Sequence, residues 1–346
     1  MALYPLVRPF AFALDAERAH RLTIGALKLL PVGRPAEADP LLSVQVAGLD
    51  FPNPVGLAAG FDKDAEIFRQ MLGFGFGFVE VGTVTPRPQQ GNPKPRLFRL
   101  AEDRAVINRM GFNNRGQAAA LARLEKRNRR AGLVGVNIGA NKDSADRILD
   151  YRAGVVAMLG IADYLTVNIS SPNTPGLRAL QDKSALDALL AATVEARGAG
   201  PPIFLKVAPD LEPGEIDSVA ASAIEHKVDA LIVANTTTSR PVLKSRHRGE
   251  AGGLSGAPLK ALALERLRNF RRATSGALPL IAVGGIENGV DAFDRIRAGA
   301  SLVQLYTALV YRGPGLVEEI NRELKRLLTL HGFGRLTDAI GTEKPQ

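Results

Sequence analysis

The sequence contains no cysteine. That absence excludes disulfides, thiolate nucleophiles, cysteine-ligated zinc and iron–sulfur clusters together, and it suits a reducing compartment. Histidine is scarce. His20, His226, His247 and His331 lie too far apart to read as a metal cluster, so no metal is expected. Long apolar runs are missing as well. None approaches the roughly 20 residues that span a bilayer. Asp15 and Glu17 interrupt any apolar core of a signal peptide near the start. These absences point to a soluble or peripheral protein.

What is present is a chain of 346 residues, 46% hydrophobic. That is enough for two ordinary domains or one large α/β barrel, and it argues against global disorder. The net charge of +9 admits nucleic acid, an anionic membrane surface or small anionic ligands as partners. The basic residues form no single block. Lys126, Arg127, Arg129 and Arg130 fall at a helix end, where cations suit the dipole, and Arg240, Lys244, Arg246 and Arg248 fall in a loop. Solvated surface is the simpler reading of both groups.

From about residue 53 one unit repeats: a short β-rich run, a polar or glycine stop, then a helical pattern. The runs are Val55–Ala59, Phe78–Val81, Leu133–Ile138, Tyr164–Ile169, Ile203–Val207, Ala230–Ala234, Leu280–Val283 and Leu302–Leu305. They are nearly continuous in apolar residues, as parallel strands covered on both faces must be. Eight such units predict an α/β fold, a closed (β/α)8 TIM barrel. A doubly wound open sheet is the alternative, although no glycine-rich dinucleotide fingerprint follows the first strand. Residues 43–54 alternate around Gly48 and predict a hairpin at the bottom of the barrel. The first 34 residues form a small N-terminal amphipathic extension. Leu3, Leu6, Val7, Phe10 and Leu14 recur at helical spacing, disturbed by Pro5 and Pro9. Asp15 then caps a second helix with Leu22, Ala26, Leu29 and Leu30 on one face. A basic amphipathic pair suits a membrane surface, an apolar ligand tunnel, or plain packing on the barrel.

Reacting groups in such barrels sit at the C-terminal strand ends. Those ends carry Lys63, Thr83, Asn137, Asn168 followed by Ser170 and Ser171, Lys206, Asn235 with Thr236, Gly284 with Gly285, and Tyr306 with Thr307. No histidine is among them, and Asp62 is the main carboxylate, which argues against a metal or histidine-based site. Asparagine reads a neutral edge bearing both N–H and C=O, as pyrimidine-diones and flavins do. A lysine beside a flavin stabilises negative charge on the reduced ring. Any one of these asparagines alone reads first as a turn or cap residue; three of them ending strands, with a lysine at a fourth, shift that balance. "VGGI" (283–286), "LVQLYT" (302–307) and "GGLSG" (252–256) offer backbone N–H groups for a phosphate. In "VNISSPNTPG" (167–176) the two serines either satisfy turn backbone or do chemistry without a neighbouring histidine.

Ten segments, in order, resemble class 2, quinone-dependent dihydroorotate dehydrogenase. They are "NPVGLAAGFDKD" (53–64), "VEVGTVTPRPQQGNPKPRLFRL" (79–100), "INRMGFNN" (107–114), "NIGANK" (137–142), "NISSPNTPGLRALQ" (168–181), "LKVAPD" (205–210), "ANTTT" (234–238), "GGLSG", "VGGI" and "LVQLYTALVYRGP" (302–314), with "LDAERAH" (14–20) ahead of them. The resemblance implies an FMN barrel that oxidises dihydroorotate to orotate in pyrimidine synthesis and passes electrons to membrane quinone. It divides the chain into a membrane and quinone-tunnel segment (1–40), the FMN barrel (41–337) and a tail (338–346). By the same resemblance Ala59, Gly60, Lys63, Thr83, Asn137, Asn168, Lys206 and Ala234 hold FMN, and Gly256, Gly285, Tyr306 and Thr307 cover its phosphate. Lys63, Asn108, Arg109, Met110, Gly111, Phe112, Asn168, Asn173, Asn235 and Thr236 surround the substrate, while His20, Arg99 and Tyr306 line the quinone end. Ser171 is then the catalytic base, in place of the cysteine of class 1 relatives, relayed through Thr174 and a water packed by Phe112. Pro172 and Pro175 would shape its loop. The expected location is the cytoplasmic face of the cell membrane, held peripherally, with no nucleic-acid partner. A tRNA-modifying flavin barrel and a non-catalytic peripheral membrane protein are the alternatives. The first uses a cysteine acid, and the second leaves the polar strand ends without a role.

Overall fold

The apolar runs pair as parallel strands because each is buried on both faces. The computed structural model describes residues 4–174 and 176–343; Leu3, Pro175 and the end of the tail lie outside the described residues. In chain order the strands are β1 (Val44–Val46), β2 (Leu49–Phe51), β3 (Val55–Leu57), β4 (Phe78–Val84), β5 (Leu97–Leu100), β6 (Ala105–Asn108), β7 (Leu133–Ile138), β8 (Tyr164–Asn168), β9 (Ile203–Val207), β10 (Ala230–Val233), β11 (Gly253–Gly256), β12 (Leu280–Val283) and β13 (Ala300–Leu305). Eight of them close a barrel in the order β3-β4-β7-β8-β9-β10-β12-β13. The closing pair sets Val303 beside Val55 and Gln304 beside Gly56, which excludes the open-sheet alternative.

The barrel interior is filled by aromatic rings, and two glycines make room for them. A Cβ on Gly56 would lie 2.2 Å from the Phe78 ring, and one on Gly135 would lie 2.0 Å from the Tyr164 ring. Tyr164 stacks on Phe204 with centroids 4.5 Å apart. The antiparallel β1–β2 hairpin adds Phe51, edge-on to Phe78 at 5.0 Å, and so closes the N-terminal end of the barrel.

The opposite end carries two additions. One is an antiparallel sheet of β5, β6 and β11 over its own small core of Phe98, Leu100, Ala105, Ile107, Leu243 and Leu254. Leu243 comes from the basic 240–248 loop, which therefore packs back on this sheet. Arg240 there donates to the Glu250 carbonyl at 2.9 Å and the Gly252 carbonyl at 2.6 Å. The other addition is the N-terminal helix pair, α1 (Tyr4–Ala13) and α2 (Ala16–Leu29). The Asp15 carboxylate caps α2 by accepting the Arg18 N–H at 2.9 Å. Helix α1 buries none of its residues, and Leu6, Phe10 and Leu29 are exposed. No helix among the described residues is long and apolar enough to cross a membrane.

Candidate active site

One cavity of about 740 Å³ runs from between the helices to the C-terminal ends of the barrel strands. Its outer end is apolar. Val7, Phe12, Ala19 and Leu27 from the helices face Phe61, Leu97 and Leu309 of the barrel. His20 sits at the neck, its ring 5.3 Å from Phe61 and 6.5 Å from Tyr306. Burial, with repulsion from Lys63, lowers this imidazole to about 3 and keeps it neutral. Arg99 also lines the cavity, yet its guanidinium is anchored: it donates to the Ala11 carbonyl at 2.7 Å and to the Leu14 carbonyl, and lies 4.7 Å over the Phe12 ring. It thus ties the end of α1 to β5.

The inner end is polar and densely bonded. The Thr83 hydroxyl donates to Asn137 Oδ1 at 2.5 Å. Asn168 Nδ2 donates to both Thr83 Oγ1 and Asn137 Oδ1 at 3.1 Å. Lys63 reaches the Gly60 carbonyl at 3.0 Å, and burial lowers its ammonium to about 8. Burial also lowers Lys206, an effect opposed by the charge of Glu80. Asn173 Nδ2 donates to Asn108 Oδ1 at 3.2 Å, which joins the loop after β8 to the end of β6.

The two serines separate cleanly. Ser170 Oγ donates to Asn168 Oδ1 at 3.1 Å and accepts Asn235 Nδ2 at 2.9 Å, so it is spent on holding strand ends together. Among the described residues Ser171 Oγ accepts only the Asn173 N–H, at 3.3 Å, and Ser171 lines the cavity. Thr174 Oγ1 is buried without a hydrogen-bonding partner among the described residues, and Thr174 is not part of the cavity wall.

Most of the residues singled out in the sequence meet around this one space: Ala59, Gly60, Lys63, Thr83, Asn108, Met110, Gly111, Phe112, Asn168, Ser171, Asn173, Lys206, Ala234, Asn235, Thr236, Gly256, Gly285, Tyr306 and Thr307 all line it. Asn137 lies just behind, under Thr83 and Asn168. Arg109 departs from its expected place beside the substrate. Its guanidinium binds Glu250 Oε2 at 2.8 Å and covers the Phe98 ring, because the small sheet turns it outward. Three further residues stand out that the strand-end pattern does not mark: Gln304 and Ser255 line the cavity, and Glu80 is buried behind it. A charged or amide residue inside an otherwise apolar strand was the available signal for Glu80 and Gln304.

The donor set matches a heteroaromatic ring with a phosphorylated side chain. Among the described residues Gln304 Oε1 is buried without a partner, and the buried Lys206 lines the same cavity. Both lie in the cavity wall beside the carboxamides and suit a ring edge of alternating C=O and N–H. Along the wall, Gly256 (φ 99°) and Gly285 (φ 69°) adopt backbone that side chains resist. The Ser255 and Thr307 hydroxyls stand 2.9 Å apart beside them. Below, the buried Arg295 guanidinium donates to the Gly284 carbonyl at 3.1 Å, adding positive charge under the loop.

Residues 41–328 match the family model for dihydroorotate dehydrogenase. The chain is 62% identical over 342 residues to the dihydroorotate dehydrogenase (quinone) of Erythrobacter litoralis, covering 99% of this chain and all of that one. It is 61% identical to the protein of the same name from Novosphingobium aromaticivorans, over 99% of this chain and all of that one. Among solved structures, ligand-free dihydroorotate dehydrogenase from Eimeria tenella superposes with a TM-score of 0.91 at 44% identity, over 96% of this chain and all of that one. The complex of the Eimeria tenella enzyme with ferulenol gives 0.89 at 44% identity, over 94% and 95% of the two chains.

Proposed function

The chain belongs to the dihydroorotate dehydrogenase family, on its quinone-dependent branch, and from that premise we propose an FMN enzyme that oxidises dihydroorotate to orotate with Ser171 as base. The observation that carries the reading is the continuity of the cavity: Ser171 lines its polar inner end, and His20 stands at the neck that opens to its apolar outer end. A site that collects electrons from a polar substrate and delivers them to an apolar acceptor needs such a two-ended space.

Thr83, Asn137, Asn168 and Lys206, with Ala59, Gly60 and Ala234, would hold the ring of FMN, and the backbone around Gly256, Gly285, Tyr306 and Thr307 its phosphate. FMN, when bound, supplies a two-electron acceptor that a quinone can reoxidise. The protein's own residues do the rest. Lys63 meets the substrate carboxylate with its ammonium. Asn108, Asn173 and Asn235 read the N–H and C=O edge of the pyrimidine, with Met110, Gly111, Phe112 and Thr236 closing the space around it. Ser171 Oγ takes a proton from the substrate carbon next to the one that gives up its electrons. A serine is a weak base and needs its own proton led away. The buried Thr174 hydroxyl, unpartnered among the described residues, is the group we assign to that relay, with Phe112 excluding bulk water.

At the other end His20, Arg99 and Tyr306 would frame the quinone. A neutral imidazole suits an uncharged headgroup. The exposed apolar residues of α1 and α2 would seat the protein peripherally on the cytoplasmic face of the cell membrane, and the reaction would serve pyrimidine synthesis. No role is assigned to nucleic acid, since Arg240 of the basic loop is committed to main-chain carbonyls.

The test is spectroscopic. Purified protein should be yellow, anaerobic dihydroorotate should bleach it, and a soluble quinone should restore the colour much faster than fumarate or NAD. Failure to bleach contradicts the reading.

A further inference from the structure

We propose that Glu80 is a positioning residue: from the centre of the barrel its carboxylate fixes the orientation of the Asn137 carboxamide behind the cavity wall and of the Gln304 carboxamide in it. The inference rests on the FMN reading and extends it to residues that touch neither ring nor substrate.

Glu80 lies on the inward face of β4 and is fully buried. A carboxylate there can only accept. Asn137 Nδ2 donates to its Oε1 at 2.7 Å, and Gln304 Nε2 to its Oε2 at 2.8 Å. The Tyr164 hydroxyl adds a third bond at 3.3 Å. Both amides must therefore turn their NH2 groups inward, which sends both carbonyl oxygens the other way. Asn137 Oδ1 then takes the Thr83 hydroxyl and Asn168 Nδ2. That choice turns Asn168 Oδ1 toward Ser170 Oγ, and Asn235 Nδ2 toward the same pair. One anion thus sets the polarity of a chain of carboxamides around the mouth. Along the other branch Gln304 Oε1 has no partner among the described residues, although Gln304 is fully buried and lines the cavity. It is an acceptor held ready for a ring N–H or a bound water.

Glu80→Gln removes the charge without changing the shape. A carboxamide at 80 offers one acceptor where two amides need one each, so Asn137 or Gln304 must rotate. Two readouts on holoenzyme follow this: the rate of FMN release, seen as recovering flavin fluorescence after dilution, and the visible absorption bands of the bound flavin. We expect E80Q to release FMN about tenfold faster or more, with shifted bands. The exchanged pair E80Q/Q304E should restore both, because the amide at 80 then accepts from Asn137 and donates to the carboxylate at 304. Wild-type release and spectrum in E80Q would overturn the proposal. So would an exchanged pair that folds but releases FMN rapidly, and this second variant decides alone if E80Q does not fold. Bleaching of the wild-type enzyme by dihydroorotate tests the underlying reading separately.

Discussion

The guanidinium of Arg96 grips the carboxylate of Glu17 through two bonds, Nε to Oε2 at 3.0 Å and Nη2 to Oε1 at 2.8 Å, with both side chains buried. Its remaining nitrogen holds the Gln90 and Asn92 carbonyls at 2.6 and 2.8 Å. Asn92 in turn donates to the Asn173 carbonyl at 3.0 Å. Helix α2 is thereby tied to the loop that carries Ser171. Burial raises the Glu17 carboxyl, but the Arg96 bonds outweigh it and bring it to about 2. The stabilisation is present above the ordinary carboxylate range and is lost as pH falls through that value. Arg96→Ala should cost about 3 kcal/mol, the lower end of the range for an orphaned buried charge, since Arg21 and Lys94 remain near Glu17. Urea unfolding followed by circular dichroism measures it. The KM for dihydroorotate should rise in the same variant.

Lys63 carries a pH prediction. Burial lowers its ammonium to about 8, so the charge that meets an anionic substrate prevails below that value and disappears above it. The dissociation constant of orotate, followed by flavin difference spectra, should weaken as pH rises through about 8. Lys63→Arg keeps its charge over the whole range and should flatten the profile, whatever its absolute affinity.

The helix pair offers a surface test. Leu6, Phe10 and Leu29 are 67%, 77% and 87% exposed and do not line the cavity. Replacing all three with serine should lower binding to phospholipid vesicles by more than about tenfold, as each exposed apolar side chain contributes on the order of 1 kcal/mol or more to insertion. Anaerobic flavin reduction by dihydroorotate should not change.

Barrel packing is tested at Gly135. An alanine there would drive its Cβ into the Tyr164 ring, which is itself stacked on Phe204. Gly135→Ala should destabilise the protein by about 1–3 kcal/mol or more, read as a lower thermal midpoint of the holoenzyme.

Much of this was legible in the residues, for physical reasons. The eight barrel strands announce themselves as apolar runs because both faces are buried, and β7, β9 and β12 begin and end where the pattern does. The polar groups at their ends mark the mouth. What escaped the pattern was non-local. The sheet of β5, β6 and β11 pairs Asn108 with Gly253 across a long stretch of chain, and no periodicity reports such a pairing. It also turns Arg109 away from the site. "GGLSG", read as a phosphate loop, is first an edge strand of that sheet. His20 reaches the neck of the cavity from α2, outside the repeat. Glu80 was hidden by its own strand: "FVEVG" reads as core, and the carboxylate inside it needed the partners from β7, β8 and β13 to make sense.

The most direct measurement is the rate of anaerobic flavin bleaching by dihydroorotate in Ser171→Ala beside the wild type. Ser170 is bonded on both sides, whereas Ser171 faces the cavity, so only the second is available to take a proton. The account requires bleaching slower by about three powers of ten, within the range for losing a general base, with FMN still bound and the quinone half-reaction intact. Near-normal bleaching in that variant would contradict it.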